Sequence, residues 1–303
     1  MSATIAGVLP IVHTPFTEND AIDVPSLQKQ LHWALDRSIG GYCTGMVSEL
    51  LRLSDDERNE LHREIAEVER GSRVFVAGVG AESIKQSCQF AEYAESIGCD
   101  AVMAIPPVTT KTSEQDLLSY FRTIASSISI PVIIQDASSY VGQEIPMTVN
   151  RELLETFGRD KILFKPEASP IGPKLSELRD VTNGEAKIFE GSGGISLMDS
   201  YQRGISGTMP GMEFLDGVLA VWNALEAGDI QRAYDVYFPL CALVALQLQA
   251  GLDGFLAVEK YVLKKRGLFA TDYRRKPYWF ELDDETIAEL DRLLAKLDEA
   301  LVD

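Results

Sequence analysis

The chain has 303 residues, of which 46% are hydrophobic and 24% are charged, and its formal net charge is −18. This composition is ordinary for a globular protein, and the negative charge, which no basic stretch offsets, argues against nucleic acid and anionic membranes as partners. The start MSATIAGVLPIV lacks the pattern of a signal peptide and no apolar run approaches the ~20 residues of a membrane span, so we expect a cytoplasmic protein.

Short apolar runs with strand character alternate with amphipathic segments through most of the chain. The predicted strands are 7–12, 40–43, 74–78, 101–105, 131–135, 162–165, 186–189 and 207–209. The helix-like segments between them include 25–37, 54–69, 81–96, 113–127 and 146–157. Eight strands in alternation with helices predict a parallel α/β fold, and their number favours a closed (β/α)8 TIM barrel. A doubly wound open sheet is the alternative, but no GxGxxG sequence opens a first βα unit.

The end of the chain has a different pattern, because no strand is predicted beyond residue 223. Segments 224–248, 254–265 and 283–301 have the pattern of helices, and DDET at 283–286 signals the start of the last one. The predicted organisation is therefore a catalytic barrel over 1–223 and a three-helix C-terminal extension over 224–303 that packs on the barrel.

In barrels of this type the active site lies at the C-terminal ends of the strands, so the residues after each strand are the candidates. After the second strand, Gly45 permits a tight turn in which successive backbone amides could hold a carboxylate. Ser48 and Glu49 follow, and an ordinary loop in which one of them caps a helix is the alternative.

The fifth strand is followed by polar residues. Gln135 has the same inward parity as Ile133, and Asp136 begins the loop. These two side chains could position a substrate, or they could satisfy the loop backbone as in an Asx-turn.

Lys165 ends the sixth strand, where a lysine has little structural reason to be. Alternation places Leu163 and Lys165 on one face of this strand, and both faces are apolar up to the lysine. Desolvation disfavours the charged form of an ammonium, and a neutral amine can form a Schiff base with a carbonyl substrate. Glu167 has equal parity and could serve as general acid or base, or as an ion-pair partner that keeps Lys165 protonated. A lysine whose ammonium reaches solvent is the other alternative.

The glycine-rich segment FEGSGGIS at 189–196 follows the seventh strand. Gly191 and Ser192 are expected to bring the backbone close to whatever occupies the mouth of the barrel. No lysine or arginine nearby supports a phosphate site.

No metal site is predicted. His13, His32 and His62 lack metal-ligand spacing, and His13, which ends the first strand, has a structural or a functional role. The four cysteines form no CxxC pair and are interpreted as small buried hydrophobic residues in a reducing compartment: Cys43, Cys88, Cys99 and Cys241.

Taken in order along the chain, these motifs resemble the dihydrodipicolinate synthase and N-acetylneuraminate lyase superfamily. The resemblance rests on GVLPIVHTPFTENDAID at 7–23, GMVSE at 45–49, IPP at 105–107, FKPEAS at 164–169 and FEGSGG at 189–194. It implies a (β/α)8 barrel with three C-terminal helices, a homotetramer or dimer, and a lysine that binds a 2-keto acid as an imine without any other cofactor. Members of this superfamily perform aldol cleavage, aldol addition or dehydration.

Departures from the family pattern bear on the reaction. The family turn G-T/S-T/N-G-E has Met46, Val47 and Ser48 at its middle positions here, so its proton-relaying hydroxyl is missing at Met46 and Val47. The family tyrosine after the fifth strand is replaced by Gln135, with Asp136 after it. No arginine follows soon after, and Val108 and Thr109 replace an expected aromatic pair, so a role in lysine biosynthesis is disfavoured.

Three short motifs are similar to those of the L-2-keto-3-deoxyarabonate dehydratase branch. They are Ser48-Glu49, Gln135-Asp136-Ala137 and Lys165-Pro166-Glu167. The resemblance implies that Lys165 attacks the C2 ketone of a 2-keto-3-deoxy sugar acid and that Glu167 removes a C3 proton before water leaves. The residues expected to contact the substrate are Met46, Val47, Ser48, Gln135, Asp136, Gly191 and Ser192. An aldolase that releases pyruvate and a barrel that binds keto acids without turnover are the alternatives.

Overall fold

Eight parallel strands form the centre of the protein, for which a computed structural model describes residues 4–302. The strands are β1 Gly7–Val8, β2 Gly41–Cys43, β3 Val74–Gly78, β4 Ala101–Ala104, β5 Val132–Asp136, β6 Ile162–Pro166, β7 Phe189–Glu190 and β8 Gly207–Thr208. β2 to β6 pair in sequence order, and β8 pairs with both β1 and β7. The β1 run is shorter than predicted, because Pro10 has no amide proton and Ile11 forms only isolated bridges.

Two junctions close these strands into a barrel. The Phe164 amide donates to the Lys187 carbonyl at 3.0 Å, which joins β6 to the start of β7. On the other side, the Val12 amide donates to the Cys43 carbonyl at 2.7 Å, which joins the segment after β1 to β2. The predicted (β/α)8 barrel is therefore confirmed.

Eight helices follow the eight strands. They are α1 Val24–Leu35, α2 Asp55–Ala66, α3 Ile84–Ser96, α4 Glu114–Ser127, α5 Met147–Phe157, α6 Ile171–Val181, α7 Leu197–Gln202 and α8 Leu215–Glu226. Several begin where a side chain caps the first turn. Ser54 and Glu57 form a reciprocal capping box on α2, and Ser113 accepts the Asp116 amide on α4. The helices predicted over 54–69 and 113–127 therefore begin at side-chain caps.

Three further helices form the predicted C-terminal extension: α9 Ile230–Leu248, α10 Gly251–Lys265 and α11 Asp284–Val302. The single helix predicted over 224–248 is wrong, because the chain turns between α8 and α9. Gly228 adopts φ 74°, which is open to glycine, and Asp229 then caps α9 by accepting the Arg232 amide. The predicted boundary after residue 223 falls in the last turn of α8.

Side-chain alternation places one set of apolar residues inside the barrel and another against the helices. Leu163 belongs to the interior cluster, whereas Ile162 and Phe164 belong to the outer cluster under the helices. The alternation predicted for β6 is therefore confirmed, and it directs Lys165 into the barrel. Cys43 and Cys99 are buried thiols, and burial raises the pKa of each to about 12. No helix within residues 4–302 is long and apolar enough to cross a membrane.

Candidate active site

A cavity opens at the C-terminal ends of the strands. Its walls are the strand ends, the turn after β2, the loops after β5 and β7, and helix α10. The polar side chains that line it are Gln135, Tyr140, Lys165, Glu167 and Glu259, and its apolar side chains include Met46, Val47, Leu252 and Phe255. The C-terminal extension therefore supplies part of the cavity wall.

Lys165 lies at the centre of a short chain of buried polar groups. Only 4% of Lys165 is exposed, and its Nζ lies 3.3 Å from Oε2 of Glu167. Gln135 is the in-register partner of Lys165 on β5, and its Nε2 donates to the same carboxylate oxygen at 2.6 Å. One oxygen thus faces both an amine and an amide donor.

Burial sets the proton affinity of this carboxylate. It raises the pKa of Glu167 above the ordinary carboxyl value, against the lowering effects of the Lys165 charge and of the hydrogen bonds from Gln135 and Lys165. A carboxylate with a raised pKa can accept the proton of the adjacent ammonium and leave a neutral, nucleophilic amine. The geometry therefore suits imine formation followed by proton transfer.

The glycine-rich loop after β7 makes close contact with this pair. A Cβ atom at Gly191 would lie 2.5 Å from both Lys165 Cε and Glu167 Oε1. Glu190 stabilises this loop, because its carboxylate accepts hydrogen bonds from the Ser192 amide at 2.5 Å and from the Thr208 hydroxyl at 2.8 Å. The Ser192 hydroxyl accepts the Ser196 amide, so the hydroxyl stabilises the loop and is not part of the cavity wall.

Gly191→Ala is expected to reduce turnover roughly 10- to 100-fold with little change in melting temperature, because the new methyl group displaces Lys165 and Glu167. Gly172→Ala is a matched control, since its Cβ also meets charged side-chain ends, those of Asp199 and Arg203, but away from the cavity. Steady-state kinetics and thermal melting of both variants test this. Full activity of Gly191→Ala would contradict the close packing.

The turn after β2 forms one wall of the cavity. Met46 and Val47 line the cavity, and their amides have no hydrogen-bond acceptor within residues 4–302. The Ser48 hydroxyl instead accepts the Gly45 amide at 3.0 Å and donates to the Val12 carbonyl, so it closes the turn. These two amides could hold a carboxylate group of a bound molecule.

A buried ion pair between Glu49 and Lys260 connects this turn to α10. Glu49 adopts the left-handed conformation with φ 58°, and its carboxylate lies 3.0 Å from Lys260 Nζ. Both side chains are fully buried. Glu49 therefore faces α10 rather than the cavity.

The loop after β5 contributes the side chain of Tyr140 to the cavity wall. Asp136 accepts the amides of Ser138 at 3.0 Å and Ile145 at 2.8 Å, which holds the loop in an Asx-turn. Tyr140 then reaches the cavity and packs edge-on against Phe255, with ring centroids 5.9 Å apart. Burial raises the pKa of Tyr140, and Glu167, Glu190 and Glu259 add to this effect, so its hydroxyl stays protonated.

Sequence reasoning missed Glu259. It lies on α10, 94 residues beyond Lys165, and its only sequence signal is that Glu259 and Lys260 interrupt the apolar run FLAVEKYVL at 255–263. In the structure Glu259 is 1% exposed and lines the cavity.

Glu259 belongs to a buried cluster with His13 and Glu213. His13 Nε2 lies 3.2 Å from Glu213, and His13 Nδ1 lies 3.3 Å from Glu259. One ligand atom from each of the three residues lies within 4.8 Å of the others, so the cluster could hold a metal ion. However, the Met212 amide donates to Nε2 at 3.1 Å, which occupies the lone pair that this nitrogen would offer to a metal ion.

The sequence matches the model of the dihydrodipicolinate synthetase family over residues 4–297. A protein of Methanococcoides burtonii named 4-hydroxy-tetrahydrodipicolinate synthase is 30% identical over 78% of this chain and 81% of its own length. The L-2-keto-3-deoxyarabonate dehydratase of Azospirillum brasilense is 26% identical over 96% of this chain and 94% of its own length.

A solved structure has the same fold over nearly its full length. The 4-hydroxy-tetrahydrodipicolinate synthase of Methylacidiphilum fumariolicum superimposes with a TM-score of 0.88 at 25% identity, and the match covers 99% of this chain and 98% of that chain.

Proposed function

The chain belongs to the dihydrodipicolinate synthetase family of lyases, and from that premise we propose that it dehydrates a 2-keto-3-deoxy sugar acid through an imine on Lys165. The observation that carries the proposal is the buried contact of Lys165 Nζ with Glu167 Oε2 at 3.3 Å inside the cavity. The similarity to the dehydratase covers almost the whole chain, which supports the proposal.

The first step joins the substrate to the enzyme. Glu167 takes a proton from the Lys165 ammonium, and the neutral amine adds to the C2 ketone. Glu167 returns its proton as the C2 oxygen leaves as water, which gives the protonated imine and restores the Glu167 carboxylate, and no other cofactor is needed. The free amides of Met46 and Val47 hold the substrate carboxylate beside this carbon.

The second step removes water from the sugar chain. The protonated imine makes the C3 protons acidic, and the Glu167 carboxylate removes one to form an enamine. The enamine electron pair then expels the C4 hydroxyl, which leaves as water with a proton from Glu167. Gln135 holds Glu167 in place through its 2.6 Å hydrogen bond. Hydrolysis of the imine releases an unsaturated keto acid. In a pentonate, movement of the C3–C4 double bond to C4–C5 gives an enol, which tautomerises to the C5 aldehyde.

Trapping of the imine tests whether Lys165 reacts at all. We expect borohydride treatment of the protein with pyruvate to add one reduced pyruvate unit to the peptide that contains Lys165, as read by mass spectrometry. An unmodified Lys165 peptide would contradict both the dehydratase and the aldolase hypotheses. The remaining hypothesis would be a barrel that binds keto acids without turnover.

An aldolase is the second candidate, and the position of Tyr140 is the observation that favours it. Cleavage of the C3–C4 bond needs a group that takes the proton of the C4 hydroxyl, a task done in relatives by the tyrosine that Gln135 replaces. The Tyr140 hydroxyl lies in the same cavity from a different loop position, where it would take this proton while it passes its own to the Glu167 carboxylate.

Tyr140→Phe separates the two reactions. For a dehydratase that uses Glu167, we expect turnover to fall less than about 10-fold, because the ring packing against Phe255 is retained. A loss of roughly 100-fold or more, with pyruvate as the wild-type product, would instead assign the aldolase reaction to Tyr140. Kinetics with a 2-keto-3-deoxypentonate, read by product-specific assays, measures both outcomes.

A further inference from the structure

Glu259 is a buried carboxyl group whose oxygens lack partners. Within residues 4–302 neither oxygen has a hydrogen-bond partner, although the side chain lines the cavity. His13 Nδ1 lies 3.3 Å from Oε2, but it bonds to the Val47 carbonyl at 3.3 Å. Buried polar groups are nearly always paired, so an unpartnered carboxyl group at a cavity wall indicates that a ligand supplies its partner.

The surroundings of Glu259 favour its neutral form. Burial raises its pKa well above the ordinary value, the charges of Glu213 and Glu49 raise it further, and Lys260 opposes them. The titratable or charged groups that face it from the packed elements are His13, Glu213, Glu49, Lys260 and Tyr140. A neutral carboxylic acid carries one O–H donor, which the ionised form lacks.

We propose that Glu259, as a neutral carboxylic acid, donates a hydrogen bond to the carboxylate of the bound 2-keto acid. This inference rests on the proposed function, since it takes the keto acid as the ligand. His13 connects Glu259 to Val47, so the acid lies beside the turn whose amides face the same substrate group. Among the described lining residues, Lys165 is the only lysine or arginine, and it is engaged with C2. A neutral acid therefore completes a carboxylate site that has no dedicated cation.

The sign of the pH dependence follows from this role. Below its raised pKa, Glu259 is neutral and donates; above that pKa, it is an anion that repels the anionic substrate. Keto-acid binding should therefore weaken as the pH rises through the pKa of Glu259.

Three variants test the role through the pyruvate concentration that gives half-maximal imine trapping at Lys165. Glu259→Gln keeps a donor but cannot ionise, so it should bind within about threefold of wild type at neutral pH and lose the alkaline weakening seen in wild type. Glu259→Leu removes the donor, and its half-saturating concentration should rise roughly 10-fold or more. Asp253→Asn is the matched control, a buried carboxylate on the same helix that pairs with Arg52 outside the cavity, and it should match wild type.

The measurement separates this inference from the proposed function. If wild type traps no pyruvate, the imine mechanism itself is wrong. If wild type traps pyruvate and Glu259→Leu saturates at the same concentration, or if Glu259→Gln weakens at alkaline pH as wild type does, the role of Glu259 is contradicted. Melting temperatures identify any variant that does not fold. If Glu259→Leu does not fold, the pH dependence of binding in Glu259→Gln alone decides the role of Glu259.

Discussion

Lys165→Met is expected to lower turnover by roughly 10³-fold or more and to abolish borohydride trapping of pyruvate, because no other amine lines the described cavity. Methionine has a similar length and suits a site that is 4% exposed, so the fold should persist. Turnover assays and intact-protein mass spectrometry measure the two effects.

A surface lysine provides the control for this substitution. Lys174→Met removes a lysine of α6 that pairs with Glu144 outside the cavity. This variant should retain both turnover and the trapping of pyruvate. Trapping at another lysine in Lys165→Met, with turnover retained, would show that the imine forms elsewhere.

Glu167→Gln is expected to separate imine formation from proton transfer. The amide keeps the shape of the side chain but can accept neither the Lys165 proton nor the C3 proton. Turnover should fall about 10²- to 10⁴-fold, whereas imine formation, which water can assist in place of Glu167, should slow less, and pyruvate should still be trapped at Lys165. Exchange of the pyruvate methyl protons in D2O, followed by NMR, isolates the proton-transfer step and should slow to the same degree.

The pH profile adds an independent test of Glu167. Its raised pKa means that the carboxyl group is protonated at acidic pH, so wild-type turnover should fall as the pH decreases through that pKa. This acidic limb should disappear in Glu167→Gln. Proton exchange that stays at the wild-type rate in the variant would assign the base to another group.

Local patterns in the sequence were sufficient to predict the barrel and the inward direction of its central lysine. The alternation of Leu163 and Lys165 predicts their inward direction because the side-chain period of a strand is fixed. The boundary between α8 and α9 was missed, although Gly228 and Asp229 carry the turn and cap signals, because the apolar pattern continues on both sides of them.

The remainder of the site depends on contacts between distant segments. Ser48 and Asp136 are polar residues next to the cavity, and sequence alone cannot tell whether their side chains face a substrate or the backbone that they bind in the structure. Their direct contact with substrate stays a prediction. The position of Glu259 could not be predicted from the sequence, because an acidic residue on an appended helix is usually exposed to solvent. Only the packing of α10 against the barrel places Glu259 at the cavity.

Product identification with the wild-type protein is the most direct test of the dehydratase assignment. The protein is incubated with a 2-keto-3-deoxypentonate, and the products are identified by NMR and mass spectrometry. We predict a semialdehyde that has lost one water relative to the substrate, with no pyruvate. Release of pyruvate together with an aldehyde would contradict the dehydratase and establish the aldolase.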